Sequence, residues 1–448
     1  MDEQLKTMRQ DAQAICKAVL DASDARQAIL RHVRWNGQEL SLGSHLLSLP
    51  QGRGVWVIGA GKASASMALG VEDVLQKRID GGLVIVKYGH TQPLRFIEIV
   101  EAGHPLPDAG TAQGTGRLLH LIEEKTGQDD LILLLLSGGG SALMESPAEG
   151  LALEDLIRIN ELLLACGASI HEINTVRKHL SAVKGGQLAR HLAGRETWTL
   201  ILSDVPGDNL DVIASGPTVP DSSSFYDAAS VLEKYRLISR VPAAVQRRIR
   251  QGLGGEIPDT PKQGDSAFDR QHQLIVGSNA LACRAAATAA RQLGYSVEVR
   301  PNQVTLDNEL FAREVIQLAT ALAGRKTDRS RRICHVSGGE TTVRLQGSGK
   351  GGRNQDLVLN CVEALARLEC PALFLSLGTD GTDGPTDAAG AIADNRTLAR
   401  HRSTSDRPLE DYLKENDSYH FFAPLEDLVI TGPTGTNVMD IHLLLIGR

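Results

Sequence analysis

The sequence predicts an α/β protein of two domains, the first built on a parallel sheet, and three observations carry that reading. Leu131–Leu136 is an unbroken aliphatic run that halts at Ser137-Gly138-Gly139-Gly140-Ser141. Such a run reads as a strand buried on both faces, central in a parallel sheet. Arg332–Val336 repeats the device and runs into Ser337-Gly338-Gly339-Glu340. Finally, 448 residues make two domains the natural expectation. Gly252–Phe268, rich in Gly, Pro, Asp and Gln, precedes a fresh β-α-β pattern, which predicts domains 1–255 and 256–448. Glycines after a strand let the backbone turn and bare its N–H groups. Consecutive bared N–H groups form an anion nest, at the edge where open α/β sheets bind ligands. Two such turns predict a ligand needing two sets of donors, such as a phosphate chain.

Composition narrows the function. A net charge of -7 and an aromatic content of 4% argue against nucleic acid as a partner. The six cysteines show no C-x-x-C spacing, which disfavours a zinc site or disulfide framework and fits a reducing, cytoplasmic setting. Met1-Asp2-Glu3 leads into no apolar segment of signal or membrane-spanning type, so no membrane partner is expected. A small-molecule enzyme, monomeric or homodimeric, is the expectation.

Taken in order, Leu5, Met8, Ala12, Ile15 and Val19 keep helical spacing and predict an opening amphipathic helix. A second helix follows from Asp24 to Val33, then a connector from Leu40 to Gln51. Val55–Ile58 is a short buried strand ending at Gly59-Ala60-Gly61-Lys62-Ala63-Ser64, ahead of a helix to about Leu75. Gly-x-Gly between strand and helix is half of a dinucleotide fingerprint, but Ser64 stands where the third glycine belongs. Ala63 in place of Ser or Thr excludes a P-loop. The turn therefore reads either as phosphate-facing, with Lys62 supplying charge, or as a tight connection with a surface lysine. Leu83–Val86 and Ile97–Val100 are the next strands, ending at Lys87-Tyr88-Gly89-His90 and Gly103-His104-Pro105-Leu106-Pro107-Asp108. Asp108 is positioned to cap a helix to about Lys125. His90 and His104 lie just past strand ends, although a lone histidine is more often a structural hydrogen-bonding residue than a catalyst.

Beyond the central strand, Leu153–Ala165 is helical, and Ile173–Gln187 concentrates Arg177, Lys178, His179 and Lys184. Arg177, His179 and Lys184 do not share one helical face, so some point inward; a solvated basic helix is the usual alternative. The strand Trp198–Leu202 ends at Ser203-Asp204-Val205-Pro206-Gly207-Asp208-Asn209. Aspartates at that edge orient Mg²⁺ or accept a proton, or merely close a turn on their own backbone. Helices over Ser224–Tyr235 and Pro242–Gln251 lead to the boundary.

The second half opens with a strand at Gln273–Gly277, a helix at Ala280–Leu293, a strand at Ser296–Val299 and a helix at Glu309–Leu322. Thr341–Leu345 alternates and predicts a hairpin or edge strand. Gly347-Ser348-Gly349-Lys350-Gly351-Gly352-Arg353 precedes a helix from Asn354, a plausible anion site. The strand Ala372–Leu377 opens into a glycine loop with Asp380, Asp383 and Asp387, candidates for a metal though without EF-hand spacing. Thr431–Asn437 and the strand Ile441–Ile446 close the chain.

With these motifs in place, the chain resembles the class II glycerate 2-kinases over nearly its whole length. The resemblance rests on Gly59–Ala63, Lys87–His90, Glu101–Asp108, Ser137–Leu143, Asn174–Gln187, Ser203–Asp208, Ser215–Thr218, Gly338–Glu340, Gly351–Gln355, Gly378–Gly384 and Thr434–Asn437, in that order. It implies an N-terminal Rossmann-like domain, a leucine-rich C-terminal α/β domain and an active site in the cleft between them. It also implies transfer of phosphate from ATP to D-glycerate, giving 2-phosphoglycerate. On that resemblance Lys62 contacts the transferring phosphoryl group, Asp204 orients or deprotonates the substrate hydroxyl, and Arg353 stabilises charge. Gly59, Gly61, Ser137, Gly138, Gly139, Gly140, Ser141, Gly338, Gly339, Glu340, Gly351 and Gly352 are then the phosphate- and nucleotide-binding positions. Mg²⁺ bridges the phosphates, with Asp208, Asp380 or Asp383 as candidate ligands, and Lys87, Arg177 or Lys184 receives the glycerate carboxylate.

Some members of the family carry the label hydroxypyruvate reductase, which is the alternative. An NAD(P)H enzyme needs an acidic residue about twenty positions past the glycine turn, at the end of the next strand. Asp80 lies near that distance but before the strand. A non-catalytic phosphosugar sensor, the third reading, needs neither the Gly351–Arg353 nor the Asp380–Asp387 loop.

Overall fold

The computed structural model describes residues 1–300, 304–324 and 332–447. The chain divides into two compact units, Ala25–Val276 on one hand and Met1–Asp24 with Gly277–Arg448 on the other.

In the first unit, β1 (Val55–Ala60), β2 (Gly81–Lys87), β3 (Glu98–Ala102), β4 (Leu131–Leu136), β5 (Glu196–Leu202) and β6 (Gln271–Gly277) form one sheet in the order β3-β2-β1-β4-β5-β6. β1 to β5 pair in parallel. This is the strand order of doubly wound dinucleotide-type sheets, and it reverses between β1 and β4, where such sheets open a crevice at their carboxyl ends. Every residue of β4 is buried, as its unbroken aliphatic run requires. The helix Ala109–Lys125 begins with a reciprocal capping box between Asp108 and Thr111.

In the second unit, β7 (Tyr295–Val299), β8 (Arg332–Gly339), β9 (Ala372–Gly378), β10 (Gly390–Asp394), β11 (Leu428–Val429) and β12 (Asp440–Ile446) run in the order β7-β8-β12-β9-β10-β11. β7 and β8 are parallel and the remaining pairs antiparallel. The last strand thus inserts between β8 and β9, and its first residue, Asp440, lies opposite Gly339 on one side and Gly378 on the other.

Four expectations change. The opening helix, Asp2–Ser23, belongs with the second unit, because its buried stripe packs on the helix Asn279–Gln292. Arg9 bonds Asp394 at 2.6 Å and Asp427 at 2.7 Å, and Asp11 accepts from Tyr295 and Arg332. Periodicity reveals that a helix has an apolar face, not which sheet that face covers. The strand at Gln273–Gly277 completes the first sheet beside β5 instead of opening the second domain, so the first unit runs on to Val276 rather than ending near residue 255. The connector after Leu40 is part of a small antiparallel sheet of Val33–Trp35, Glu39–Leu42 and His45–Ser48. Thr341–Leu345 forms no strand: Thr342 makes an isolated bridge with Asp307, and Leu345 is exposed.

Candidate functional site

At the strand-order reversal, the turns after β1 and β4 interlock. A Cβ on Gly59 would lie 2.4 Å from the Leu135 carbonyl oxygen, and one on Gly61 only 2.1 Å from Ser137 Oγ. These glycines therefore serve the close approach of two backbones. The N–H groups of the first turn are also used internally. Gly61 donates to the Ile85 carbonyl, Lys62 to that of Gly138 at 2.9 Å, Ser64 to that of Gly61, and Ala63 to Ser137 Oγ at 3.0 Å. What this turn offers a ligand is the Lys62 side chain, whose ammonium has no partner among the described residues.

The second turn is the opposite case. Among the described residues, the N–H groups of Gly138 and Gly139 make no hydrogen bond. Gly139 holds φ at 82°, a left-handed conformation natural to glycine, and the short helix Gly140–Leu143 follows. Consecutive free N–H groups in such a turn make an anion nest.

Three side chains converge on this bare backbone from different strand ends. A Cβ on Gly138 would lie 2.2 Å from Asp204 Oδ2. A Cβ on Gly139 would lie 2.9 Å from His104 Cδ2, 3.0 Å from His104 Nε2 and 3.4 Å from Lys62 Cγ. His90 Nδ1 sits 3.1 Å from the Lys62 carbonyl. Burial, then the charges of Lys62, Lys87 and His90, lower the His104 imidazole to about 4. His90 is lowered too, first by burial, with Lys87 and Lys62 adding to the effect. Lys87 thus belongs to the same electropositive cluster. Ser141 Oγ lies 2.7 Å from Ser215 Oγ, which donates to Asn174 Oδ1 at 3.1 Å, tying the basic helix Ile170–Leu180 to the turn.

The other expected carboxylate receptors are differently placed. Lys184 is buried, bonded to Glu145 at 2.8 Å and to the Met144 carbonyl at 2.9 Å. Burial lowers its pKa against the pull of Glu145. Its ammonium braces the segment after Gly140–Leu143 and does not face a ligand. Arg177 is half-buried and donates Nε to Asn160 Oδ1 at 2.6 Å.

In the second unit, the glycine positions behave otherwise. Gly338 and Gly339 lie within β8, paired with β12, and a Cβ on Gly338 would meet Asn279 Oδ1 at 2.0 Å. Glu340 N–H donates to the Val304 carbonyl at 2.8 Å. No bared nest forms there, because the closing strand takes up the backbone. Gly352 packs on Asp383, which caps the helix Arg353–Ala366, accepting from Asn354 N–H at 3.1 Å and Gln355 N–H at 2.9 Å. The helix start expected to bind a phosphate is thus filled by a carboxylate of the chain itself.

Arg353 is held hard. Its Nε donates to Asp440 Oδ2 at 2.6 Å, and its Nη2 to Asp440 Oδ1 at 2.9 Å and Glu340 Oε1 at 3.0 Å. Burial pulls the guanidinium's pKa down, but the two carboxylates outweigh it and hold the group above its ordinary value. Asp440 is fully buried, and burial pushes its carboxyl up to about 7 against the opposing pull of Arg353. Glu340 is therefore a partner of Arg353 in the structure, and a second carboxylate facing a phosphate would repel it.

For a metal, no group of three candidate ligands comes together among the described residues. Asp383 has both oxygens in the helix cap, and Asp380 accepts from Thr382 N–H at 3.0 Å. Asp208 lies in the other unit. Asp440 and Glu145 were not singled out by the sequence. A carboxylate opening the apolar strand Ile441–Ile446 was the available signal for Asp440.

Comparison with known proteins finds two family models in the chain, a domain of unknown function (DUF4147) over residues 11–250 and the MOFRL family over residues 333–440. A glycerate 2-kinase of Pyrococcus horikoshii is 40% identical over 433 residues, covering 95% of this chain and 94% of that protein. A putative hydroxypyruvate reductase of Agrobacterium vitis is 38% identical over 443 residues, covering 96% and 97%. The crystal structure of a glycerate kinase from Thermotoga maritima matches with a TM-score of 0.86 at 38% identity, covering 98% of this chain and 100% of that one.

Proposed function

The chain belongs to the glycerate kinase family marked by the DUF4147 and MOFRL domains, and from that premise we propose that it transfers a phosphoryl group from ATP to D-glycerate, giving 2-phosphoglycerate. The observation that carries this reading is the open nest at Gly138 and Gly139 with Lys62, unpaired among the described residues, beside it and the Asp204 carboxylate against Gly138. Phosphoryl transfer asks a protein mainly for positioning and for neutralised oxygens. The nest and Lys62 meet the phosphoryl oxygens, and Asp204 accepts the hydrogen bond of the attacking hydroxyl. As the glycerate hydroxyl oxygen bonds to the γ-phosphorus, the bond from that phosphorus to the β,γ-bridging oxygen of ATP breaks, its electron pair leaves with ADP and the hydroxyl proton passes to Asp204. Arg353 neutralises charge with Nη1, the corner of its guanidinium that neither Asp440 nor Glu340 engages.

Lys87 is the cation best placed for the glycerate carboxylate, since Lys184 is committed to Glu145. One carboxylate, Asp208 or Asp380, would hold a Mg²⁺ ion brought in with ATP, and the ion would neutralise phosphate oxygens there; Asp383 has both oxygens in the helix cap. The reductase reading loses support from Asp80, whose carboxylate accepts from Val55 N–H at 2.8 Å, at the amino end of β1. The end of β2, where a ribose-binding acid would stand, carries Lys87.

The test is a product assay with ATP, Mg²⁺ and D-glycerate, coupled to enolase with or without a phosphoglycerate mutase. Signal with enolase alone identifies 2-phosphoglycerate. Signal that needs the mutase moves the attack to the 3-hydroxyl, and NADH consumption on hydroxypyruvate with no ADP formed would replace the kinase by a reductase.

A further inference from the structure

His104 is the one member of the convergent cluster that the phosphoryl-transfer reading leaves without a task. It lies just past the end of β3, on the loop Gly103–Asp108, and its ring edge covers Gly139. The same point in space, where a Gly139 side chain would begin, lies 3.0 Å from His104 Nε2 and 3.4 Å from Lys62 Cγ. The imidazole is half-buried and makes no hydrogen bond among the described residues. Its charged neighbours are Lys62 on the first turn, Lys87 at the end of β2 and His90 on the following loop, with Asp204 across the nest at Gly138. A half-buried polar ring, a cation and two N–H groups, all without a partner among the described residues, together make a donor set waiting for an acceptor.

We propose that His104 is a further catalytic residue, donating Nε2–H to an oxygen of the transferring phosphoryl group held by the Gly138–Gly139 nest and Lys62. The inference rests on the kinase reading for its choice of anion. The surroundings explain why a histidine suits the place. A third fixed cation would be repelled by Lys62 and Lys87 whenever the anion is absent, whereas a neutral imidazole offers an N–H donor without that cost. The depressed pKa is consistent with that, because the ring stays neutral at pH 7 until an anion arrives. No proton needs to leave the imidazole in this role, so the proton of the glycerate hydroxyl still goes to Asp204.

Two variants and one binding measurement test it. Gln places an amide N–H close to where Nε2–H stood, whereas Ala removes the donor. The expected result is a fall in kcat of about 10²-fold for His104→Ala with the glycerate KM changed little, and recovery to within about 5-fold of wild type for His104→Gln. Equal losses in both variants, or no loss in Ala, overturn the role. Independently of turnover, inorganic phosphate titrated into the wild-type protein is expected to shift the His104 ring ¹⁵N resonances and to raise its pKa. Unmoved resonances at saturating phosphate overturn the contact. If the protein shows no kinase activity but the phosphate shift appears, the glycerate kinase reading fails and the His104 contact stands.

Discussion

Ser137-Gly138-Gly139-Gly140 and Ser337-Gly338-Gly339-Glu340 are nearly the same words at the ends of two buried strands, and they come to opposite ends. After β4 the chain leaves the sheet, so two N–H groups stay bare and Asp204, His104 and Lys62 gather on the glycines. After β8 it stays in the sheet, because β12 returns antiparallel and pairs through Gly339. There the glycines make room for Asn279 and the Val304 backbone instead of for a ligand. The cations differ in the same sense. Lys62 has no partner among the described residues, whereas Arg353 is gripped by Asp440 and Glu340. A glycine pair after a strand thus predicts backbone access only when the next strand in space does not claim the backbone.

The contrast can be broken most sharply at Lys62. Lys62→Ala is expected to lower kcat by 10²-fold or more with the glycerate KM within about 3-fold, read from steady-state kinetics. A change confined to KM would remove the lysine from the transition state. Next comes Asp440→Asn, which leaves Arg353 a single carboxylate partner. Breaking a buried pair costs about 3–5 kcal/mol, so chemical denaturation should show a large loss of stability, and kcat should fall with it as the guanidinium loses its aim. Unchanged stability would mean that Glu340 alone can hold the arginine.

The glycines allow a matched pair of variants. Gly138→Ala puts a Cβ 2.2 Å from Asp204 Oδ2 at an open turn, and Gly338→Ala puts one 2.0 Å from the buried Asn279 Oδ1. The first should lower activity about 10-fold or more with little change in Tm. The second should lower stability by about 1–3 kcal/mol, the usual range for overpacking. The reverse pattern would show that the two turns had been assigned backwards. Smallest is the pH effect. The folded-state pKa is lowered to about 4 for His104 and to about 3 for His442, which is fully buried. The unfolded chain therefore takes up protons first as pH falls. Stability from these groups is present above about pH 6.5 and declines from there toward pH 3–4, which a Tm series across that range would record.

Much of this was legible in the sequence. Buried strands announced themselves as aliphatic runs, and Asp108 and Ser224 announced helix starts that the structure confirms as capping boxes. The strand-end loops that build the cluster at the nest were visible as well, because carboxyl ends of parallel strands are where glycine, serine and aspartate interrupt apolar runs. Less legible were the pairings made across long stretches of chain. Nothing local marks Lys184 as the partner of Glu145, or Asp383 as the cap of a helix that begins at Arg353. A buried charge and an exposed one look alike in a linear chain, since burial depends on which other segments arrive.

By itself the sequence determined the α/β class, most of the elements and the residue types available for binding an anion, because burial periodicity and turn chemistry act over a few residues. The tertiary structure decided the rest. It assigned the opening helix to the second unit, left Gly138 and Gly139 bare, closed Gly338 and Gly339 into a sheet and turned Lys184 inward. Each of those outcomes depends on which strand or helix lies alongside, a choice that long-range packing makes and local sequence does not record.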